Sequence, residues 1–224
     1  MLFVSLPRLN RDFLKTLKGF VSIIINPSNT DSVFDIVEGM RDTEASQLAL
    51  NYIKSQPGVA EIISERYLPP TPDLDVLITY PEGSLGYVYA AKMKQENFDP
   101  EFYPKIDIKD DLSYILLRIR QSHDIWHAVT DFNTDVSGEL GLQSFNLAQT
   151  HLPLPIILIA GGLLKTLLQS PAEMNQLLDR IAVGYRMGSK AKPFLAQKWE
   201  EHWDKPIEQW RTELGIEPTS VYVP

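Results

Sequence analysis

The sequence contains no cysteine. That absence removes disulfide scaffolds, thiolate metal sites and cysteine nucleophiles together, and it fits a reducing compartment. Basic residues are outnumbered: 21 Lys and Arg stand against 29 Asp and Glu, for a formal net charge of −8. A general nucleic-acid binder needs a basic surface to displace counterions, so that class is set aside. A local basic patch facing anionic lipid stays compatible with this charge. Long hydrophobic runs are also missing. The most lipid-like stretch, Leu152–Leu164, meets Lys165 and contains Pro153, Pro155, Gly161 and Gly162. A bilayer span needs about 20 apolar residues, so no transmembrane helix is expected. The apolar start, Met1–Leu6, precedes Arg8 and Arg11. That order is the reverse of a secretory signal, and neither a cleaved signal nor a transit peptide is expected.

What the chain does have is an apolar surplus with helical spacing. It is 44% hydrophobic over 224 residues, enough for a substantial core in one large domain or two small ones. Apolar Val33, Ile36, Val37 and Met40 predict a short helix over Asp31–Asp42. Thr43 is placed to cap a second, through Ala45, Leu48, Ala49 and Tyr52, which Pro57 and Gly58 stop. A loop with four prolines follows from Pro69 to Pro81, and Gly83-Ser84-Leu85-Gly86 opens a helix through Lys94. Asp110 or Asp111 starts a long helix carrying Leu112, Ile115, Leu116 and Ile119. Ser137 is a candidate cap for a helix from Gly138 to about Gln149. Two further helices are expected over Pro155–Gln169 and Pro171–Gly188, and a helical tail over Pro193–Gly215, broken near Pro206. Leu74–Thr79 is the only strand candidate, and a weak one. The expected fold is all-α, a single helical domain spanning residues 1–224.

The residues that carry chemistry lie in His123-Asp124-Ile125-Trp126-His127, with Glu139 twelve positions on. His123 and His127 are one helical turn apart, so both imidazoles leave one face. That spacing suits two ligands of one metal ion. The apolar stripe of the helix continues in phase into His123, which turns the imidazoles toward the core. Inward imidazoles need partners. Asp124 stands about 100° around the helix, placed to ligate or to orient a ligand. Glu139 follows Gly138 near the start of the next helix, and Asp131 and Asp135 are spare oxygen donors. Two nitrogens with carboxylates suit zinc, iron, manganese or magnesium without choosing among them. Two readings of these residues stand open: a metal site, and a satisfied histidine pair beside an N-terminal helix carboxylate. Zincin peptidases place Glu, not Asp, after the first histidine. His-Asp phosphohydrolases need a further histidine upstream, and none precedes His123.

The pattern His-Asp, two residues, His, eleven residues, Glu resembles the hallmark of the coenzyme Q biosynthesis protein four family, with His123, Asp124, His127 and Glu139 at its four positions. Leu85-Gly86 with Tyr89, Gly138-Glu139, Gln149, Pro153, Gly188, Trp199 and Glu213-Leu214-Gly215-Ile216 are similar to flanking segments of that family. The likeness covers roughly residues 70–217 well and the N-terminal third weakly. It implies a helical protein of ubiquinone or another prenylquinone pathway, with a divalent metal and a bound polyprenyl or prenylated aromatic lipid. It further implies peripheral attachment to a membrane surface and association with other quinone-biosynthesis proteins. The step assigned to the family replaces the ring carboxylate of a prenylated benzoate by hydroxyl.

Such a lipid asks for an apolar groove or channel. The segment Leu152–Leu168 offers a wall through Ile156, Ile159, Leu163 and Leu167, among other aliphatics, with Gly161 and Gly162 permitting close approach; ordinary core is the competing reading for each. Arg118 and Arg120 are candidate cations for an anionic head, against pairing with nearby acids, and Trp126 a candidate stacking surface, against a core role. Arg180, Arg186, Lys190, Lys192 and Lys198 interleave with Tyr185, Phe194 and Trp199 as a candidate membrane face. Three functions are carried forward. The first is a metal-dependent enzyme on a prenylated aromatic acid, its metal ligands the candidates for the chemistry. The second is a lipid-presenting scaffold, and the third, disfavoured by the motif comparison, is a metallohydrolase. A cytoplasmic, peripherally membrane-associated homo-oligomer is expected.

Overall fold

Most helices form where the apolar spacing predicts them, the exceptions being Val59–Glu65 and Leu74–Leu77, and capping side chains set most of their starts. The computed structural model describes residues 39–101 and 106–219. Of the helix expected over Asp31–Asp42, Gly39 and Met40 are seen in helix and residues 31–38 lie outside the described residues. Helix α1 (Glu44–Ser55) begins at Thr43, whose hydroxyl accepts the Ser46 N–H. Helix α2 (Val59–Glu65) follows Gly58, which adopts φ 78°. Leu74–Leu77 forms a single helical turn, α3, and not the weak strand. The Asp73 carboxylate accepts the Asp75 and Val76 N–H groups, which holds that turn. Among the described residues there is no strand for it to pair with.

Ser84 caps α4 (Leu85–Glu96) through the Tyr87 N–H. Asp110 caps α5 (Asp111–Thr130) in a reciprocal box with Ser113. Helix α6 (Val136–Thr150) starts two residues before the expected Gly138, because Asp135 and not Ser137 is its cap: the Asp135 carboxylate accepts the Gly138 N–H at 2.8 Å. The Ser137 hydroxyl donates to that same carboxylate. Helices α7 (Pro153–Gln169) and α8 (Met174–Lys190) follow, joined through a 3-10 turn at Pro171–Glu173. The tail is less helical than expected before Pro206. It makes 3-10 turns at Phe194–Ala196 and Trp199–Glu201, then α9 (Ile207–Leu214). Side chains compete with the helical ladder there: Gln149 Oε1 accepts the Phe194 N–H at 2.9 Å, and Gln197 Nε2 donates to the Pro193 carbonyl at 2.9 Å.

The widest helix–helix contact joins α6 and α8. Gly184 makes it possible, since a Cβ there would stand 2.0 Å from the Gly141 carbonyl oxygen. The core around α5 and α6 is aromatic. Trp126 packs on Phe145 and Phe194, and Phe194 on Trp199, which meets Trp210, with ring centroids 4.7–6.0 Å apart. Such rings are large anchors, each costing roughly 3–5 kcal/mol when truncated to Ala. The C-terminal segment then closes the end of α5. Arg211 donates to the Ala128 and Val129 carbonyls, and the Thr219 N–H reaches the Thr130 carbonyl. These carbonyls are the orphan acceptors of a helix end, so the last turn of α5, which carries His127, is held from outside the helix. Among the described residues no helix is long and apolar enough to cross a membrane.

Candidate metal centre

The α5–α6 connection creates the site. Helix α5 ends when Asp131 takes a left-handed conformation, φ 64°. The chain then returns so tightly that a Cβ at Gly138 would stand 2.1 Å from the Asn133 carbonyl oxygen. Only glycine fits there, and its successor Glu139 is thereby set in the first turn of α6, facing the histidines of α5. A helix N-terminus favours a carboxylate at that position.

His123, His127 and Glu139 converge, each offering one donor atom within 4.8 Å of the others. The two Nε2 atoms are 3.2 Å apart. His127 Nε2 lies 3.1 Å from one Glu139 oxygen, and His123 Nε2 lies 3.4 Å from the other. Two imidazole nitrogens on one tetrahedral ion, each at about 2.0–2.1 Å, stand roughly 3.3 Å apart. The donor set therefore fits a single divalent ion without rearrangement of the helices. Tautomerism supports the fit. The His127 Nδ1–H donates to the Phe132 carbonyl at 3.0 Å, which leaves the Nε2 lone pair pointing at the cluster.

Electrostatics favour a cation here. Burial disfavours the Glu139 carboxylate, but the His123 hydrogen bond and charge, with the His127 ring beside it, prevail and hold its carboxyl well below the usual range. For His123, burial pulls the imidazole pKa down, while the Glu139 hydrogen bond and charge, with Asp124, carry it above its ordinary value. A proton on His123 and a metal ion thus compete for the same place. Access is one-sided: the His127 side chain is 1% exposed, His123 19% and Glu139 38%. Three protein ligands beside an accessible face are the arrangement of a metal site that takes up an exogenous ligand.

The structure brings together three of the four motif residues. Asp124 adds no donor atom to the cluster and acts on it by charge, through His123 and Lys92. Asp135 is engaged as the α6 cap and Asp131 closes α5. Arg118 is 2% exposed and makes a two-pronged pair with Glu200, at 3.0 and 3.3 Å. Arg120 is half-buried, and Trp126 lies wholly in the aromatic core. On α7, Ile156 and Leu167 are exposed, and Ile159 and Leu163 half-buried. Gly162 serves helix packing, its α-carbon pressed against Leu140. Of the basic and aromatic stripe, Phe194 and Trp199 belong to the core, Lys198 pairs with Glu65, and Tyr185 is exposed. A polar cleft of about 380 Å³, lined by Glu61, Lys198, His202 and Trp210 among others, shares no residue with the histidine cluster.

One residue escapes the motif reading. Lys92 of α4 donates to the Phe132 carbonyl at 2.9 Å, the same oxygen that holds His127. Its signal in the sequence is phase: it lies three residues after buried Tyr89 and seven after buried Leu85, on the inward side of α4, where an ammonium must find acceptors.

Comparison with known proteins identifies the family. A crystal structure of a candidate ubiquinone biosynthesis protein from Nostoc punctiforme superposes with a TM-score of 0.81, at 39% identity, over 91% of this chain and 97% of that one. A mitochondrial COQ4 homolog of ubiquinone biosynthesis from Anopheles gambiae is 27% identical over 88% of this chain and 70% of its own length. The mitochondrial ubiquinone biosynthesis protein coq4 of Talaromyces marneffei is 29% identical over 96% and 75%, and that of Aspergillus fumigatus 30% over 88% and 70%. The family profile named coenzyme Q (ubiquinone) biosynthesis protein Coq4 matches residues 3–220. The His123, His127 and Glu139 cluster, the helical fold and the matched length lead to one conclusion: this chain belongs to the Coq4 family of ubiquinone biosynthesis proteins.

Proposed function

We propose that this protein binds one divalent metal ion through His123, His127 and Glu139 and uses it on a prenylated aromatic acid of the ubiquinone pathway. The observation that carries this reading is the convergence of two imidazole Nε2 atoms, 3.2 Å apart, on a carboxylate with an accessible face. Zinc, iron and magnesium are the candidate ions. A bound ion would supply Lewis acidity toward the ring's oxygens or carboxylate, and of the three only iron would also supply activation of dioxygen. Replacing a ring carboxylate by hydroxyl releases carbon dioxide and removes two electrons, so dioxygen or another external oxidant is part of the proposed reaction. The protein's own contributions are positional. His127 is held in one tautomer by the Phe132 carbonyl, and Glu139 is held over it by the Gly138 turn. Asp124 adds negative charge beside the ligands without occupying the site.

The lipid and membrane parts of the proposal rest on α7. Its apolar side chains face outward in unusual number: Ile156 is 54% exposed, Leu167 58% and Leu168 70%. A contiguous apolar face of this kind suits a polyprenyl chain or the membrane surface that carries it. Ile156, Ile159, Leu163 and Leu167 are the proposed contacts. Other quinone-pathway proteins and a second copy of the chain are the proposed partners.

A lipid-presenting role without chemistry uses the same residues, and the accessible Glu139 side of the cluster favours it equally, since an ion there can clamp an anionic head for a partner enzyme. Native mass spectrometry with metal analysis, followed by incubation of the purified protein with metal, dioxygen and a short-chain prenylated hydroxybenzoate, separates the readings. The enzyme reading expects about one metal per chain and a hydroxylated, decarboxylated product, both lost in His127→Ala. Metal and lipid binding without product supports presentation, and full turnover without metal refutes the metal reading.

A further inference from the structure

The geometry points to Lys92 as a positioning residue of this centre: it holds the Phe132 carbonyl that fixes the tautomer of His127. The inference rests on the proposed metal reading for its purpose, but its structural content stands without a metal.

One carbonyl oxygen here serves two donors from two helices. Lys92 Nζ of α4 approaches it at 2.9 Å, and His127 Nδ1 of α5 at 3.0 Å. Phe132 sits just beyond the left-handed residue Asp131, in the connection between α5 and α6, so its carbonyl accepts no helical N–H and its direction is not set by a ladder. Two contacts set it instead. The ring is 1% exposed and lies against Gly141 of α6, where a Cβ would come within 2.5 Å of the ring. The carbonyl end is tied by Lys92. The acceptor is thus gripped from α6 through the ring and from α4 through the oxygen, while His127 comes from α5.

The consequence is chemical. A neutral imidazole carries one proton, on Nδ1 or on Nε2. With the Phe132 carbonyl facing it, the His127 proton stays on Nδ1 and the Nε2 lone pair is left for the cluster. Were the carbonyl to turn away, the buried Nδ1–H would lose its partner. The other tautomer would then become competitive, with its proton donated from Nε2 to Glu139, 3.1 Å away. That tautomer cannot ligate through Nε2, the nitrogen that faces the cluster. Lysine suits this post because a long stem can pack along α4 while its head reaches a polar target. Burial pulls the Lys92 pKa down, while the surrounding carboxylates of Asp131, Asp124, Glu139 and Glu96 act against that shift, and the amine, charged or neutral, keeps an N–H for the Phe132 carbonyl.

The test compares full-length wild type with Lys92→Met, of similar length without donor or charge, and with Lys92→Arg, which keeps both. Long-range 1H–15N NMR of the metal-free proteins reports which nitrogen of His127 bears the proton. The expected result is Nδ1–H in wild type and in Lys92→Arg, and a population of Nε2–H in Lys92→Met. Zinc titration is expected to show affinity weakened by about 10-fold or more in Lys92→Met, the range for loss of an outer partner of a ligand, and within about threefold of wild type in Lys92→Arg. Should Lys92→Met fail to fold, Lys92→Gln replaces it: its amide is one bond too short to reach Phe132, so the same Nε2–H population is expected. The inference is overturned if His127 stays fully Nδ1–H without the Lys92 donor, or if the arginine variant behaves like the methionine one. Failure of wild type to take up zinc refutes the metal reading instead, and the tautomer comparison still decides the role of Lys92.

Discussion

Replacing Glu139 by Gln distinguishes a metal centre from a hydrogen-bonded histidine pair. The substitution keeps the side chain's size and one acceptor oxygen but removes the charge. The carboxylate lies 3.1 Å from His127 Nε2 and 3.4 Å from His123 Nε2, so it is the anionic third of the donor set. Structural zinc sites with four ligands bind with about 10–16 kcal/mol, or roughly 3 kcal/mol per ligand. At about 1.4 kcal/mol per tenfold, loss of Glu139 is expected to weaken metal binding on the order of 100-fold. The proton dependence shifts as well. In the metal-free wild type Glu139 raises the His123 pKa above its unfolded value. Stability from that pairing is therefore fully present below the unfolded pKa and is lost as pH rises through the folded one. A metal ion must displace the same proton, so wild-type affinity should fall as pH drops through that raised pKa. In Glu139→Gln the support is gone, burial dominates, and the His123 pKa should fall. Chelator competition at several pH values measures the affinity, and NMR titration of the histidine rings measures the pKa. A zinc affinity within about threefold of wild type, or an unchanged His123 titration, would refute the reasoning.

Further outcomes test the scaffold around the site. Gly138→Ala places a methyl 2.1 Å from the Asn133 carbonyl oxygen, a clash with backbone. It should displace the α5–α6 connection, lower stability by about 1–3 kcal/mol and weaken metal binding more than a comparably destabilising substitution elsewhere, read by denaturant unfolding and zinc titration. Arg118→Met leaves Glu200 charged where its side chain is only 5% exposed. Breaking such a buried pair costs about 3–5 kcal/mol, and the added substitution Glu200→Leu should recover much of the loss; denaturant unfolding of both variants checks this. Leu167→Glu with Leu168→Glu alters side chains 58% and 70% exposed. Stability should change by less than about 1 kcal/mol, while sedimentation with vesicles containing anionic lipid should fall severalfold; undiminished sedimentation would count against α7 as the lipid-facing element.

Much of the local architecture was legible in the sequence. Thr43 caps its helix as expected, and the helix starts expected at Gly83–Gly86 and at Asp110 or Asp111 are set by Ser84 and Asp110, because a cap is a contact between residues two or three apart. The histidine pair was legible for the same reason, its spacing of four residues being one helical turn. Errors arose where a neighbour in space outbid a neighbour in sequence, or where two adjacent residues could each serve as cap. Gln149 takes the Phe194 N–H across 45 residues and helps set the 3-10 turns of the tail. Asp135 rather than Ser137 caps α6, a two-residue shift that no periodicity resolves.

The sequence by itself determined a helical fold and a histidine pair at the spacing of two metal ligands, since helical period, capping and an i,i+4 pair are short-range and survive without knowledge of the fold. The tertiary structure decided which acids count. It turned Glu139 onto the histidines through the Gly138 turn and kept Asp124 outside the donor set. It gave Arg118 to Glu200 and brought Lys92 from another helix to the carbonyl that orients His127. It also set α7 with much of its apolar surface outward, which its composition alone could not distinguish from core. Each of these depends on what packs against a residue from tens of positions away. Burial, charge and hydrogen-bond geometry settle such contacts only when the helices are assembled.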